Sequence, residues 1–584
     1  MHDNLYNYFF NPNSTAQKKY EALRAFFFEK QRAEAVADRF DYQLSAFYSL
    51  ARDFRKFINN DQDPEDPFFL AKKPGRKAKD RQGDITALVV NLRKKYLSVP
   101  DIKAITDARG HKLSEKYIHL ILRKEGLDRL PRRAKPERVM RNTRDVIPAP
   151  ESTALAYQPE KFSTLSSIGI LCLWPLIKQY GIDRAIENSR YPETKTINRL
   201  SSILSFIALK LSNMRRYGAD DLWCMDRGLG LFAGLNVLPK TAWFSSYSSR
   251  ITRAMNLAFL KALHQIWKDR GLLSDTMNLD FTTIPYWGED SHLENNWSGK
   301  RGKALASLLS VLAQDPDSGI IDYSETGIRH AQQDAVVLEF LDFYRAKNPS
   351  EDLKYLVFDS KFTAYKNLRK LDEAAIKFIT IRRRGKGILT QLENLSPKEW
   401  KKLRVMKADG KGRELKVHEE EVLIKDYGQP IRQIAITGQG KIKPALLITN
   451  DKEIALESLI RKYSRRWLVE KGISEQVEFF HLNRVSSSMV IKVDFDLTMT
   501  VLAHNLYRLL ARHLPGYTHN TSETLFEKFL CNSGDIEITD HEIKIMMKKK
   551  RNLPALLSEM EKFKDMVIPW LDNKKLFFSG SSTT

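Results

Sequence analysis

The chain has 584 residues, of which 42% are hydrophobic and 29% charged, a globular composition too long for a single hydrophobic core. Its formal net charge is +23 at pH 7, and this basic excess favours a polyanionic partner: nucleic acid first, with ribosomes and acidic membranes as alternatives. No apolar run approaches the roughly 20 residues of a membrane span, and the first residues lack the layout of a secretory signal, so neither a membrane protein nor a secreted one is expected.

Two helix-turn-helix units are predicted at the N-terminus. Residues 1–70 contain the helical segments "TAQKKYEALRAFFFEK", "RAEAVADRF" and "LSAFYSLARDFRKF". Residues 71–130 repeat the order of helix, short helix, turn and longer helix, with "DITALVVNLRKKYL", "SVPDIKAITDARG" and "SEKYIHLILRKEGL". Cap signals mark the second unit: a capping box of Ser98 with Asp101, an N-cap at Ser114 and a helix end at Gly126. A plain three-helix bundle used for dimerisation is the alternative interpretation.

Basic segments flank these units and favour a DNA-binding arm. The first is "KKPGRKAKD", and the second, "RLPRRAKPERVMRNTR", opens a basic, proline-containing linker over residues 131–163. The arm residues that we expect to contact DNA are Arg76, Lys77, Lys116, Arg123, Arg132 and Arg133.

Residues 164–272 show helical spacing of apolar residues and are predicted to form a helical domain. "LSSILSFIALKLSNMRRYG" and "SSRITRAMNLAFLKALHQIWKDRG" are its clearest segments. Arg215, Arg216 and Arg253 could pack inside this domain or contact DNA, and packing is the safer interpretation.

The candidate chemistry begins in residues 273–372. A strand containing Asp280 is followed by a hairpin around "DPDSG", an amphipathic helix and a buried strand that ends at Asp359. This order matches a ribonuclease-H-like (RNase H-like) sheet, in which the first and fourth strands are neighbours, so the two carboxylates would meet at one edge. Each aspartate taken alone could simply cap a turn.

The rest of the chain is predicted to contain three regions. Residues 373–450 contain strand-like segments separated by turns, which predict a β-rich insertion in the sheet domain. Residues 451–515 would complete that domain, and residues 516–584 are predicted to be a helical C-terminal tail. The predicted fold is therefore multidomain: all-α helix-turn-helix units, an RNase H-like α/β domain interrupted by strands, and a helical tail.

One helical stretch, "KYSRRWLVEKGISEQ" (462–476), carries a third carboxylate. On a helix, Tyr463, Arg466 and Glu470 lie at i, i+3 and i+7, which places them on one face. An ordinary surface ion pair between Arg466 and Glu470 is the alternative. Asp494 and Asp496 form a second acidic pair, which ranks below Glu470 because the sequence shows no basic or aromatic partner on their face.

Asp280, Asp359 and Glu470, together with "YSRRWLVE", resemble the DDE transposases of bacterial insertion sequences over roughly residues 275–510. They resemble more narrowly the insertion-sequence-four superfamily, whose signature is Tyr-x-x-Arg-x-x-x-Glu-x-x-x-x-x-x-Lys. The lysine position of that signature is Val477 here, and Lys462, Arg465 or Lys471 could take its place.

The resemblance implies a role for each matched residue. Asp280, Asp359 and Glu470 would be catalytic and would hold two Mg²⁺ or Mn²⁺ ions. Tyr463, Arg466 and Lys471 would contact the DNA backbone and its ends. Trp297 and Trp467 are candidates for stacking on an unpaired base.

Other cofactors are not expected. The cysteines Cys172, Cys224 and Cys531 lie far apart and predict neither a zinc site nor a disulfide framework, which favours a reduced, cytoplasmic protein. The resemblance to bacterial transposases implies that it is associated with the nucleoid. "SGKRGK" (298–303) lacks the spacing of a Walker motif, so no nucleotide cofactor is predicted, although the loop could contact phosphate.

The expected partner is double-stranded DNA, both the element ends and a target, bound by a homodimer in the synaptic complex, with no membrane partner. Two alternatives stay open: a helix-turn-helix DNA-binding protein derived from a transposase that no longer cuts, and an RNase H-like nuclease that hydrolyses DNA without joining it.

Overall fold

The structure is a computed structural model of the full chain. It describes residues 10–12, 14–60, 68, 84–94, 97–127, 152–164, 166–214, 223–286, 293–298, 302–345, 353–406, 412–438, 444–482 and 489–581, without the side chains of residues 60, 298, 406, 467–474, 476 and 477. The chain divides into two compact units: Met1–Lys103 with His111–Leu130, and Ala104–Gly110 with Pro131–Thr584.

The N-terminal part contains two sets of three helices where the sequence predicted them. Their bounds are α1 Thr15–Phe27, α2 Ala33–Arg39, α3 Leu44–Asn60, α4 Asp84–Lys94, α5 Val99–Ala108 and α6 Glu115–Lys124. In the first set, Ala22, Val36 and Phe47 belong to one small buried cluster, so the three helices share a core. In the second set, α4 packs against α6.

The predicted cap signals of the second set are confirmed. The Ser98 backbone N–H donates to Asp101 Oδ2 at 3.1 Å, and the Asp101 N–H donates to Ser98 Oγ at 3.4 Å, which is the reciprocal pattern of a capping box. Ser114 Oγ accepts from the Tyr117 N–H at 3.2 Å. Gly126 has φ +70°, the left-handed conformation that glycine adopts most readily at a helix end.

Residues 160–269 are mainly helical, as the sequence predicted, after one short strand. The elements are β1 Glu160–Thr164, α7 Trp174–Tyr180, α8 Ile182–Glu187, α9 Arg199–Leu211, α10 Arg227–Phe232, α11 Thr241–Ser248 and α12 Arg253–Asp269. Nearly all of α9 is buried, including Ser201, Ser202, Ser205 and Lys210 between its apolar residues. No helix in the described part of the chain is long and apolar enough to cross a membrane.

A ten-stranded mixed sheet follows. Its strands and associated helices are β2 Thr276–Pro285, β3 Asn295–Ser298, β4 Lys303–Gln314, β5 Ile321–Ile328, α13 Val336–Arg345, β6 Tyr355–Phe358, α14 Tyr365–Glu373, β7 Lys377–Ile381, α15 Lys386–Glu393, β8 Lys401–Met406, β9 Gly412–Leu423, β10 Pro430–Thr437 and β11 Ala445–Thr449. The strand order is β3-β4-β2-β6-β7-β11-β10-β9-β8, with β5 paired to β4. Strands β2, β6 and β7 are parallel, which confirms that the first and fourth strands of the predicted order are neighbours.

The predicted β-rich insertion is not a separate domain. Strand β7, which the sequence analysis assigned to residues 373–450, pairs in parallel with β6 and belongs to the central sheet. Strand β11 pairs antiparallel with β7, and β10, β9 and β8 follow it outward. The later strands therefore extend the sheet, because β7 offered a free edge for backbone pairing.

Two long helices, α16 Leu456–Glu478 and α17 Val490–His513, complete this part of the chain. Leu459 and Ile460 of α16 pack with Val357 of β6, Ile379 of β7 and Leu447 of β11, so α16 lies on one face of the sheet. Most of α17 is buried, and its side chains share a core with the helices before β2.

The expectation of a helical C-terminal tail is wrong. After the short helix α18 Ser522–Leu525, the chain forms β12 Gly534–Ile538, β13 Glu542–Met547, α19 Leu553–Met560, β14 Val567–Ile568 and β15 Lys574–Gly580. These strands and β1 form a five-stranded sheet in the order β1-β12-β13-β15-β14. Buried residues alternate along β12 and β13, and burying that apolar face against the core favours strands over helix.

Candidate active site

Asp280 and Asp359 lie side by side on neighbouring parallel strands. The register pairs Leu279 of β2 with Phe358 of β6, so the next residues along, Asp280 and Asp359, are level with each other. Neighbouring strands are about 4.8 Å apart, and residues that are level in a parallel pair project from the same face. The structure therefore brings together two of the three carboxylates that the sequence singled out.

Local hydrogen bonds orient each carboxylate. Asp280 is 8% exposed, and its Oδ1 accepts from the Phe281 N–H at 2.8 Å. Asp359 caps a 3-10 turn and accepts from the Ser360 N–H at 2.6 Å. The rings of Phe281 and Phe362 stack with their centroids 3.9 Å apart. The residues that follow the two aspartates therefore contact each other on the opposite face of the sheet.

Helix α16 places Arg466 over this edge. Arg466 Nη1 donates to Asp280 Oδ2 at 2.9 Å, and both side chains are only 12% exposed. The same guanidinium lies over the ring of Tyr463, 5.4 Å from its centroid. Such a partly buried, charge-assisted contact is stronger than an exposed ion pair.

The negative charges of both aspartates affect the pKa of Tyr463. Burial raises the pKa of its phenol to about 12, the Arg466 guanidinium opposes that rise, and the negative charges of Asp359 and Asp280 reinforce it. The phenol is therefore neutral at physiological pH and can donate a hydrogen bond. Among the described residues, no acceptor receives the proton of the buried Tyr463 hydroxyl, so this proton is available to an acceptor that binds at the edge.

The backbone of Glu470 lies on α16, one helical turn beyond Arg466, which is the position predicted for the third carboxylate. Its side chain, and those of Trp467, Lys471 and Val477, lie outside the described part of the structure. Among the described side chains, no group of three His, Cys, Asp or Glu could hold a metal ion. Asp280 and Asp359 supply two hard carboxylate donors, the ligand type that suits Mg²⁺ or Mn²⁺.

Lys462 and Arg465 are anchored within the protein. Lys462 Nζ donates to Thr276 Oγ1 at 2.7 Å and lies 3.5 Å from Asp275. Arg465 pairs with Asp317 Oδ1 at 2.6 Å and donates to the Pro316 carbonyl at 2.8 Å. These contacts dock the N-terminal half of α16 onto the start of β2 and the β4–β5 turn.

This docking role was missed by the sequence analysis, which considered Lys462 and Arg465 as substitutes for the signature lysine. A sequence gives no signal of it, because the partners of both residues lie more than a hundred positions away along the chain.

Trp297 is not brought to the carboxylates. It lies on β3, is 59% exposed and pairs with Ala304 of β4. Asp280 pairs with Leu312, eight residues farther along β4, which corresponds to about 26 Å at roughly 3.3 Å per residue. A stacking role for Trp297 beside Asp280 is therefore not supported by the geometry.

Asp494 and Asp496 have basic partners, contrary to the sequence-based interpretation. Arg253 Nη1 lies 3.1 Å from Asp494 Oδ1, and Asn256 Nδ2 donates to Asp494 Oδ2 at 2.6 Å. Lys210 Nζ lies 2.9 Å from Asp496 Oδ2. The partners come from α9 and α12, far from α17 in sequence, and Arg253 is confirmed as a packing residue. Arg215 and Arg216 lie outside the described residues.

Of the predicted DNA-binding arm, Lys116 and Arg123 are described. Both are exposed on α6, seven residues apart and so on one face of the helix. Arg76, Lys77, Arg132 and Arg133 lie outside the described residues, as do residues 299–301 of "SGKRGK".

Comparison with known proteins agrees with the class that this site suggests. Residues 275–506 match the family model of the transposase DDE domain, which supports a DDE transposase. The match does not by itself confirm the narrower insertion-sequence-four superfamily.

Among solved structures, the chain is similar to one described as the cryo-EM structure of the piggyBac transposase synaptic complex with hairpin DNA. The TM-score is 0.36 and the identity 11%, over 72% of this chain and 86% of that one. No curated protein sequence matches the chain.

Proposed function

We propose that this protein is a DNA transposase that binds the terminal inverted repeats of its own element and catalyses Mg²⁺-dependent DNA cleavage and strand transfer. The observation that carries the proposal is the level placement of Asp280 and Asp359 on parallel strands beneath Tyr463 and Arg466. The strand order β5-β4-β2-β6-β7, with only the last three parallel, is consistent with an RNase H-like core.

Each residue of the site has a proposed task. Asp280 and Asp359, with Glu470 from α16, would hold two Mg²⁺ or Mn²⁺ ions. Bound there, the ions would supply Lewis-acid activation of a water or a 3′-hydroxyl and would stabilise the leaving oxygen. The neutral Tyr463 phenol would donate to a phosphate oxygen near the cut. Arg466, now paired with Asp280, would turn to the same phosphate when DNA occupies the edge.

The remaining parts of the proposal concern DNA recognition. The two sets of helices in α1–α6 would act as helix-turn-helix units, with Lys116 and Arg123 on the exposed face of α6 contacting the backbone of the element ends. A homodimer would hold two ends together in the synaptic complex. Assignment to the insertion-sequence-four superfamily rests on Tyr463, Arg466 and Glu470 alone, since Val477 replaces its lysine.

The test uses full-length protein and DNA from either side of its own gene, with Mg²⁺ or Mn²⁺. We expect cuts at defined ends and joining into a plasmid, and we expect Asp359→Asn to abolish both. Asp342→Asn, on the exposed side of α13, is the matched control and should cut like the wild type.

Specific binding of the ends without any cutting by the wild type would support the alternative of a DNA-binding protein that no longer cuts. Cutting without joining would support an RNase H-like nuclease.

A further inference from the structure

A basic segment, residues 382–386, follows β7 at the same edge of the sheet as the two aspartates. The register pairs Val357 of β6 with Ile379 of β7, so Ile381 is level with Asp359. Strand β6 ends there, but the chain after Ile381 runs on along β11, because the Arg382 N–H donates to the Leu446 carbonyl at 2.8 Å. The basic segment therefore projects beyond the edge that carries the carboxylates.

Arg383 falls on the face of the sheet covered by α16. Ile379 and Ile381 pack on that face with Leu459 and Ile460 of α16, whereas Phe378 packs in the cluster on the opposite face. Side chains two residues apart in an extended chain lie on the same face, so Arg383 lies on the face of Ile379 and Ile381, which is also the face of Asp359. Arg382 belongs to the other set, and its guanidinium donates to Gln433 at 2.6 Å.

The distance from Arg383 to the carboxylates suits a neighbouring phosphate. Arg383 is one strand across from Asp359 and two residues farther along, which places the two Cα atoms about 8 Å apart for strands about 4.8 Å apart with a rise of roughly 3.3 Å per residue. Successive phosphates of one DNA strand rise about 3.4 Å and also turn around the duplex axis, which puts neighbouring phosphates about 7 Å apart, so 8 Å corresponds to about one nucleotide step.

The charges of this segment are not neutralised within the described part of the protein. Arg383 is exposed and has no ion-pair or hydrogen-bond partner among the described residues. Arg384 and Lys386 are exposed as well, and the one described contact of Arg384 is a 3.2 Å bond to the Pro444 carbonyl. Apart from its two chain neighbours, no described residue has an atom within 4 Å of the position where a Cβ would sit on Gly385, so a ligand can approach the segment closely.

We propose that Arg383, assisted by Arg384 and Lys386, binds a DNA backbone phosphate about one nucleotide from the bond held at Asp280 and Asp359. This inference rests on the proposed function and deepens it. Arg383 would supply the cation that holds a DNA phosphate, the role that the signature assigns to its lysine. This chain has Val477 at the lysine position, and Lys462 and Arg465 are bound to other residues of the protein.

The first measurement is equilibrium binding of full-length protein to a duplex of the element end, over a range of salt concentrations and without divalent ions. For Arg383→Gln we expect about tenfold weaker binding, the lower end for a hydrogen bond to a charged group. The slope of log K against log salt should fall by about 0.9, the value for one lost contact. Arg383→Lys should restore the slope. Arg404→Gln, on the outermost strand β8, is the matched control and should leave the slope unchanged.

The second measurement locates the phosphate with duplexes that carry one neutral methylphosphonate linkage each. The wild type should lose about tenfold in affinity when the neutral linkage lies about one nucleotide from the cut, since one charge-assisted contact is lost. The Arg383→Gln variant should lose no further affinity when the neutral linkage lies at that position, because the substitution and the neutral linkage remove the same contact. At other positions a neutral linkage should weaken its binding as it weakens that of the wild type.

The outcomes separate the two proposals. An Arg383→Gln variant with wild-type salt slope and wild-type sensitivity at every methylphosphonate position overturns the assignment of Arg383 while leaving the transposase proposal standing. A wild-type protein that binds no element end specifically overturns the proposed function and this inference together.

Discussion

Replacing Arg466 by methionine should loosen the edge of the sheet that carries the aspartates. The change removes the Arg466 cation from Asp280, which is 8% exposed and lies close to the charge of Asp359. Breaking a fully buried pair costs 3–5 kcal/mol, and since both side chains keep 12% exposure we expect the lower end, about 3 kcal/mol. Methionine retains most of the apolar contact area, so the cost reports mainly the lost charge.

Hydrogen–deuterium exchange is the suitable assay, because it reads local opening and does not require the whole chain to unfold in two states. In chelator, peptides covering Thr276–Pro285 should exchange roughly a hundredfold faster in Arg466→Met, the equivalent of about 3 kcal/mol. Peptides from β12 and β13, in the other sheet, are the internal control and should not change.

A double-mutant cycle identifies the cause. In an Asp280→Asn background the negative charge that Arg466 balances is absent, so Arg466→Met should cost under about 1 kcal/mol. Mg²⁺ at a hundred times its dissociation constant should stabilise the Arg466→Met variant by about 2.7 kcal/mol. It should give no stabilisation in the Asp280→Asn background, where the carboxylate ligand is replaced by an amide. Equal exchange in Arg466→Met and the wild type, or a cost that persists in the Asp280→Asn background, would refute the reasoning.

Three further outcomes are expected. Arg253→Met should destabilise the helical core by about 3 kcal/mol at pH 8 and by less at pH 5, in urea unfolding followed by tryptophan fluorescence. Burial already raises the pKa of Asp494, and without Arg253 that pKa rises further, so the variant loses stability as the pH increases through the folded-state pKa of Asp494. A destabilisation by Arg253→Met that is independent of pH would contradict this. Trp297→Ala should leave DNA cleavage within about twofold of the wild type, since Trp297 is about 26 Å from Asp280 along the strand; a hundredfold loss would place it in the site. Deleting residues 567–584 removes β14 and β15, frees the backbone edge of β13 and takes Ile568, Leu571 and Leu576 out of the core, so limited proteolysis should cut the truncated chain faster; equal resistance would refute the sheet order.

Features set by neighbouring residues could be predicted from the sequence. The capping box of Ser98 with Asp101 and the N-cap at Ser114 are local signals, and they located the helices of the second N-terminal set. The adjacency of Asp280 and Asp359 was also predictable, because a strand, hairpin, helix and strand in that order leave few topologies open.

Features that depend on distant residues could not be predicted. The C-terminal sheet includes β1, whose Phe162 pairs with Ile536 far along the chain. The alternation of Ile543, Ile545 and Met547 was visible in the sequence, but a basic run and an apolar helical segment follow it and dominated the interpretation. The partners of Asp494 and Asp496 come from other helices, so their burial as ion pairs was equally hidden.

The basic residues of the site show why a cluster of positive charge alone does not locate a DNA contact. In sequence, Lys462, Arg465 and Arg466 form one basic group on α16. In the structure each faces an oxygen of the protein: Lys462 at Thr276, Arg465 at the β4–β5 turn and Arg466 at Asp280. A charge already neutralised by a protein carboxylate gives little net attraction to a phosphate unless DNA displaces that partner. Arg383 has no such partner to lose among the described residues, so its charge is available to DNA without that exchange.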